Sequence, residues 1–348
     1  MRKNVLPSRL AQQYRHIDYG YHFDATKLGH FLRELAIKRG VKHVVDTVTS
    51  VQTIDNNKIN ALSLKEHGYI SADFFIDCSG FASVLMEKSL KQQYVDYSKY
   101  LFNDSAVALQ VKYDKETGYT PKTNSIALKN GWMWEIPLTT RMGKGYVYSS
   151  QYCSAQEAEN ELREYTNTFD AEVKARHLKM RVGRLNNHCF SNCLAVGMSQ
   201  GFIEPLEATA LMLSQYTITK FINDVEQEIF SYDSFNAQIN TMFDGVRDYI
   251  VAHYKLSNRQ DTLYWRDNAN NAHTPDFLSS FYTQWMSGGD VEKLLHLNKD
   301  KVAYLRPSWY CIFAGMGIFP KKLQNTDKAA DVMQSKEYLS STLKKIVA

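Results

Sequence analysis

Between residues 24 and 36 the apolar positions fall at helical spacing. Asp24 can cap the first free amides, and Leu28, Phe31, Leu32, Leu35 and Ala36 follow the i, i+3, i+4, i+7 rule. Gly40 marks the stop. The period then shortens: residues 44–54 and 59–64, joined by the turn DNNK, predict a hairpin. The stretch YISADFFIDCSGF predicts a buried strand that ends at Gly80. Residues 100–153 are rich in strand formers and predict a second, inserted sheet. NCLAVGMSQGF predicts another buried strand, turning at Gly197 and Gly201. From Pro205 the spacing is helical again, with Leu211, Ile218, Phe221, Ile222, Val225 and Ile229 on one face. Beyond residue 230 the pattern stays helical and aromatic-rich, broken at SGGD (287–290). Helix, hairpin and an apolar strand closing on glycine point to an α/β (α+β) nucleotide-binding layer over residues 1–228. A helical region follows over 229–348.

Composition narrows the function. Charged residues at 22% and hydrophobic ones at 44% of 348 residues describe a globular protein. A net charge of +4 on scattered Lys and Arg argues against nucleic acid as a partner. Five cysteines form no disulfide-scaffold pattern, which fits a reducing cytoplasm. His188, Cys189 and Cys193 could suggest a metal, but they sit in an apolar run without a second ligand pair and read as core. No apolar run reaches the roughly 18 residues of a membrane span. The first ten residues lack the apolar core of a signal peptide.

Two stretches carry candidate chemistry. In GWMWEIPL, a strand would put Trp132, Trp134 and Ile136 on one face and Met133 and Glu135 on the other, with Pro137 ending the pairing. On pattern alone this is equally a sheet face packed on a helix. In GFIEPLEATALML, Pro205 suits the first turn of a helix and Glu207 then lies where the macrodipole favours negative charge. The same helix start would offer free amides near residues 208–210, a seat for a small anion. A carboxylate beside an anion seat carries a repulsive cost, which suggests function. Spacing does not choose between Glu204 and Glu207, which are three apart.

GWMWEIPL resembles the W-x-W-x-I-P motif of the flavin-dependent halogenases, the tryptophan-halogenase family. ADFFIDCSGF, NCLAVGMSQGFIEPLEATALML, MFDGVRDYIVAHY with DTLYWRDN, and SWYCIFAGMGIFP resemble further segments of that family in the same order. The likeness runs from about Tyr21 to about Pro320. It implies a flavin monooxygenase-like FAD-binding layer and an oxidoreductase in which reduced FAD, oxygen and chloride or bromide yield hypohalous acid for an aromatic substrate. It implies reduced FAD from a separate flavin reductase, and allows a homodimer. By motif position it implies Glu207 as the catalytic carboxylate. Thr209 and Ala210 would hold the halide by their amides, and Met198, Leu211, Gly197, Pro205 and Val48 would meet the cofactor. Trp132 and Trp134 would be the wall between flavin and substrate.

Three departures from the family qualify this. The chain carries no G-x-G-x-x-G, so the N-terminal Rossmann strand–turn–helix and the catalytic lysine beside it are expected to be absent, and the isolated chain inactive. LEATA replaces L-E-S-T-G, so Ala210 restricts a position where glycine is free. In LNKDKVAYLRP, Ala303 and Tyr304 stand where members acting on free tryptophan carry a Phe-Trp pair. Tyr304 is therefore the expected substrate contact, and an indole- or phenol-like compound other than free tryptophan the expected substrate. A flavin monooxygenase-like oxidoreductase, and a non-catalytic remnant or subunit needing a separate N-terminal segment, are the alternatives.

Overall fold

The computed structural model describes residues 20–55, 57–112, 120, 122–170 and 172–320. The parts of the expected regions that fall on residues 1–19 and 321–348 lie outside it. Helix α1 (Ala25–Lys38) begins as the pattern predicts: the Asp24 carboxylate accepts from the amides of Thr26 and Lys27 at 3.0 and 3.2 Å. Its apolar face is not a core face here, since none of its residues is buried. The hairpin forms from β1 (Val48–Ile54) and β2 (Lys58–Leu64), extended by β3 (Gly68–Ser71) in one antiparallel sheet. The first strand starts later than expected, and the single long strand expected after it is divided. Its second half is β4 (Phe75–Asp77).

Asp77, at the end of β4, explains the glycine turn that follows. Its buried carboxylate accepts from the amides of Ser79, Leu85 and Met86 at 2.9, 2.8 and 3.0 Å, so it caps the wide helical turn Val84–Ser89. Strand β5 (Tyr94–Asp96) leads into the inserted sheet, made of β6 (Ser105–Lys112), β7 (Asn124–Leu128), β8 (Gly131–Pro137) and β9 (Arg141–Tyr148). After helix α2 (Ala155–Tyr165), β10 (Arg176–Lys179) returns to complete five antiparallel strands in the order β10-β6-β9-β8-β7. β11 (Gly183–Leu185), β12 (Cys189–Phe190), β13 (Cys193–Ala195) and β14 (Gly201–Phe202) follow. β13 pairs parallel with β4, as a nucleotide-binding layer requires, and β4 is an edge strand of this sheet among the described residues.

Strand β8 shows why WMW is apolar throughout. Trp132 joins the largest core, together with Leu101, Val147 and the helical side chains Phe235, Phe243, Tyr249 and Trp309. Met133 points into a second core of Val107, Tyr146 and Tyr148, closed by Ala158 and Leu162 of α2. Both faces of the strand are covered.

The helices are α3 (Ala210–Glu226), α4 (Tyr232–Lys255), α5 (Leu263–Asn270), α6 (Asp276–Ser287), α7 (Val291–Leu297) and α8 (Arg306–Gly315). The break at SGGD is real. Gly288 ends α6 at φ +68° and the Asp290 carboxylate caps α7. The helix expected from Pro205 starts later. Pro205–Glu207 is a separate 3-10 turn, closed by the Ala208 amide on the Pro205 carbonyl at 3.0 Å. Ala208 then takes φ +54°, which a continuous α-helix cannot contain. The predicted apolar face of α3 is largely open: Leu211, Ile218, Ile222 and Val225 are exposed, as is Ile229 beyond the helix end, and Leu213 and Thr217 turn inward instead.

Candidate functional site

Two turns at the carboxyl ends of the parallel strands define a groove. Gly80 follows β4 at φ +67° and Gly197 follows β13 at φ +73°, conformations that suit glycine. Between them lies an open, mostly apolar cavity of about 330 Å³ lined in part by Cys78, Gly80, Gly197, Met198, Ala210 and Leu211. The crevice outside the carboxyl ends of parallel strands is where α/β layers take their ligands. Of the residues expected at a cofactor, the structure gathers Gly197, Met198 and Leu211 here. Val48, on β1, and Pro205 are not in this lining.

The loop that leaves the groove carries both carboxylates, and Ala208 separates their surroundings from those of α3. Glu204 is wholly buried. Its Oε2 accepts from Asn103 Nδ2 at 2.7 Å and from Trp132 Nε1 at 3.1 Å. Asn103 Nδ2 also donates to the Tyr254 hydroxyl, and the Tyr264 hydroxyl donates to Asn103 Oδ1. Burial pushes the Glu204 carboxyl above its ordinary range, against the opposing effect of the Asn103, Tyr254 and Trp132 donors.

Glu207 faces a different company. Its Oε1 lies 2.9 Å from His253 Nε2 on α4. Tyr249 and Tyr304 stack with ring centroids 3.9 Å apart, and Trp309 meets Tyr249 edge-on at 5.1 Å. Burial, and then the Glu207 charge, pushes the Tyr249 phenol up to about 12 and raises Tyr304 as well. The Tyr304 hydroxyl is buried without a hydrogen-bond partner. One face of the Tyr304 ring is thus already occupied by Tyr249.

Thr209 is the N-cap of α3, and the first helical bond runs from the Leu213 amide to its carbonyl. The amides of Ala210, Leu211 and Met212 therefore have no acceptor within the helix. The Ala208 amide, expected among the free donors, is spent on Pro205. Thr209 is buried and its Oγ1 lacks a partner. Ala210 has no positive φ, so a methyl group fits its backbone without strain. Trp132 and Trp134 stand 6.0 Å apart at 56°, with Trp134 lying over Gly145 of the neighbouring strand.

His188, Cys189 and Cys193 are core residues. Burial holds His188 neutral, down to about 3, with Nε2 3.0 Å from the Asn240 side-chain oxygen. Among the described residues no group of His, Cys, Asp and Glu could hold a metal ion. Sequence reasoning did not single out Asn103, Tyr249, His253 or Gly145. Tyr249 and His253 carried a usable signal, being four apart in one helical run, whereas Asn103 carried none.

Comparison with known proteins now bears on this geometry. The family model described as tryptophan halogenase matches residues 1–332. The chain is 42% identical over 273 residues to the tryptophan 6-halogenase SttH of Streptomyces toxytricini, covering 77% of this chain and 52% of that protein. It is 35% identical over 318 residues to the tryptophan 7-halogenase RebH of Lentzea aerocolonigenes, covering 87% of this chain and 60% of that one. The crystal structure of SttH superposes with a TM-score of 0.82 at 34% identity, over 93% of this chain and 64% of SttH. The solved structure of BrvH, a flavin-dependent halogenase from Brevundimonas sp. BAL3, gives 0.80 at 29% identity, over 95% of this chain and 66% of BrvH. The chain thus spans about half to three fifths of the length of these two sequence relatives.

Proposed function

The chain belongs to the tryptophan halogenase family, and from that premise we propose that it serves in FAD-dependent halogenation of an aromatic substrate, with Glu207 as the catalytic carboxylate. One observation carries the reading. Glu207 is held 2.9 Å from His253, on the loop that runs from the groove to the free amides of α3. The groove suits the ring end of a flavin: it is mostly apolar, and its two glycine turns leave the backbone open to a flat ring. When bound, reduced FAD from a separate flavin reductase would supply the oxidising chemistry that turns chloride or bromide into an electrophile.

The remaining roles belong to the chain. Met198, Leu211 and Gly197 would pack against the ring system, with Pro205 and Val48 at its periphery. The amides of Thr209 and Ala210, with Leu211 beside them, would hold the halide at the start of α3. Trp132 and Trp134 would separate the groove from the substrate. Glu207 would orient the reacting ring and take up its proton. Tyr304 offers one face for stacking, worth about 0.5–1.5 kcal/mol, so the reading favours an indole- or phenol-like compound over free tryptophan. Residues 1–228 would form the cofactor side and 229–348 the substrate side.

None of the described helices is long and apolar enough to cross a membrane. A cytoplasmic setting fits the cysteine usage, and the exposed apolar face of α3 supports association, a homodimer included. The test is a pair of variants assayed with a reductase, halide and an indole, in an assembly that includes a family N-terminal segment. Glu207→Gln is expected to lower the rate by roughly 10²–10⁴. Equal losses in Glu204→Gln and Glu207→Gln would sink the assignment.

A further inference from the structure

Trp132 of the wall strand is held by an acceptor that comes from outside its sheet. An indole N–H can only donate, and Trp132 Nε1 donates to Glu204 Oε2 at 3.1 Å. The same oxygen accepts from Asn103 Nδ2 at 2.7 Å. Asn103 Nδ2 also donates to the Tyr254 hydroxyl of α4 at 2.9 Å, and Asn103 Oδ1 accepts from the Tyr264 hydroxyl of α5 at 3.0 Å. All of this is interior: Glu204 is 0%, Asn103 1% and Trp132 4% exposed. Placing a carboxyl there costs free energy that an apolar side chain of similar size would avoid. An apolar side chain, however, could not set the rotation of an indole. A directional N–H···O bond can.

We propose that Glu204 is the positioning residue of the tryptophan wall: its carboxyl fixes the Trp132 indole beside Trp134 and, through the turn that follows, sets where Glu207 stands relative to that wall. This rests on the reading of the wall and of Glu207 given above. The path of the chain supports the coupling. Pro205–Glu207 is a single 3-10 turn, closed by the Ala208 amide on the Pro205 carbonyl at 3.0 Å. Only that tight turn lies between the anchored carboxyl and Glu207. Thr209, the N-cap of α3, comes two residues later. On the wall itself, the Trp132 and Trp134 rings lie 6.0 Å apart at 56°, so a rotation of Trp132 changes the surface against which Trp134 rests.

Glu204 therefore acts through other residues and has no part in proton transfer. Asn103 extends its reach, because the same side chain that donates to Glu204 is bonded to both α4 and α5. One buried carboxyl oxygen thus ties the wall strand, the loop with the reactive carboxylate and two helices of the substrate side. With that acceptor removed, the Trp132 N–H and one Asn103 N–H are left buried and unpaired. The indole can then turn only by loosening the wall.

Two measurements test this, and the first needs no activity. The 348-residue chain is labelled with ¹⁵N-tryptophan, and the Trp132 indole signal is assigned by its loss in Trp132→Phe. Glu204→Gln keeps the shape of the side chain and an oxygen that accepts, but changes the acceptor from carboxyl to amide. The Trp132 N–H signal is expected to shift in this variant while those of Trp265, Trp285 and Trp309 stay in place. In Glu204→Met, which has no such acceptor, it should shift further and exchange faster with solvent. A Trp132 signal that does not move in Glu204→Gln overturns the proposal, whether or not Glu204→Met folds. The second measurement uses the active assembly. Glu204→Gln is expected to retain most of kcat, whereas Glu204→Met should lose about 10²-fold, the scale of a misplaced reacting group. In Glu204→Met the KM for reduced FAD should also rise with indole concentration, because a loosened wall admits the ring to the groove. Equal losses of kcat in the two variants, or a KM for reduced FAD that does not respond to indole in Glu204→Met, also overturn it. Wild-type kcat in Glu207→Gln, with the indole-dependent KM present in Glu204→Met, leaves the anchor standing and removes Glu207 from the chemistry.

Discussion

Replacing Gly145 with alanine tests how tightly the tryptophan wall is built. Gly145 lies opposite Trp134 in the β8–β9 pair. A Cβ added there would sit 2.0 Å from Trp134 Cζ2, 2.3 Å from Cη2 and 2.5 Å from Cε2. Carbon atoms pack best at about 3.5 Å, so the ring must retreat by about 1.5 Å. Its movement is limited by Trp132, whose ring stands 6.0 Å away and is itself tied to Glu204. The backbone of Gly145 is outside the left-handed region, so the alanine meets no conformational penalty of its own. The expected cost is therefore overpacking, about 1–3 kcal/mol.

The sign of the effect separates this account from its rival. With the indole out of the way, alanine should be better than glycine in a strand by about 0.5–1 kcal/mol, because it has less backbone entropy to lose. A double-mutant cycle in urea reads the difference. Gly145→Ala should destabilise the wild-type chain by about 1–3 kcal/mol and become neutral or stabilising when made on Trp134→Ala. A neutral or stabilising Gly145→Ala in the wild-type background, or the same cost in both backgrounds, would refute the reasoning.

Three further outcomes are expected. Glu204 has its folded-state pKa raised above the ordinary 4.5; its contribution to stability is thus complete below about pH 4.5 and is lost as pH rises through the folded value. Glu204→Gln should therefore gain in Tm relative to the wild-type chain as pH rises, and a constant offset from pH 4 to 8 would count against the buried acid. In a panel of aromatic compounds assayed with the assembled enzyme, other indoles or phenols should be turned over better than free tryptophan; a clear preference for tryptophan would show that Tyr304, stacked as it is on Tyr249, does not limit the site. The 348 residues contain no G-x-G-x-x-G to hold a pyrophosphate. Titrated with FAD by itself, this polypeptide should bind more weakly than about 1 μM, the affinity that about −8.2 kcal/mol provides. Tighter binding together with site-selective halogenation by the polypeptide alone would overturn that expectation.

What the sequence disclosed was local. The Asp24 cap, the hairpin turn, the glycines after β4 and β13 and the break at Gly288 depend on residues adjacent in the chain, and their chemistry is visible there. The alternation in WMWEIP disclosed a strand, but not that Gly145 would lie across from Trp134, because register is set by a partner elsewhere. Periodicity identified apolar faces on α1 and α3 and could not say whether anything covers them; among the described residues much of both faces is open. The pairing of Glu207 with His253 was hidden for the same reason. Each residue was in view, and only the fold brings the 3-10 turn against α4.

Ala208 was illegible for a different reason, and it decides what the two carboxylates do. Alanine is the best helix former, so nothing in PLEATA suggests a left-handed residue. At φ +54° Ala208 bears a cost of about 1–2 kcal/mol, which the surrounding contacts must offset. In an unbroken helix Glu204 and Glu207 would share a face and repel each other. With the break after Glu207, the two side chains are left in different surroundings. Glu204 goes inward to Trp132 and Asn103, and so ties the loop to the wall strand. Glu207 remains partly open and meets His253. Ala210, the alanine that departs from the family's glycine, sits in ordinary helical backbone, where a glycine would gain nothing from its freedom. The position that needs such freedom is Ala208, and the strain stored there accompanies the division of one acidic motif into an anchor and a reactive group.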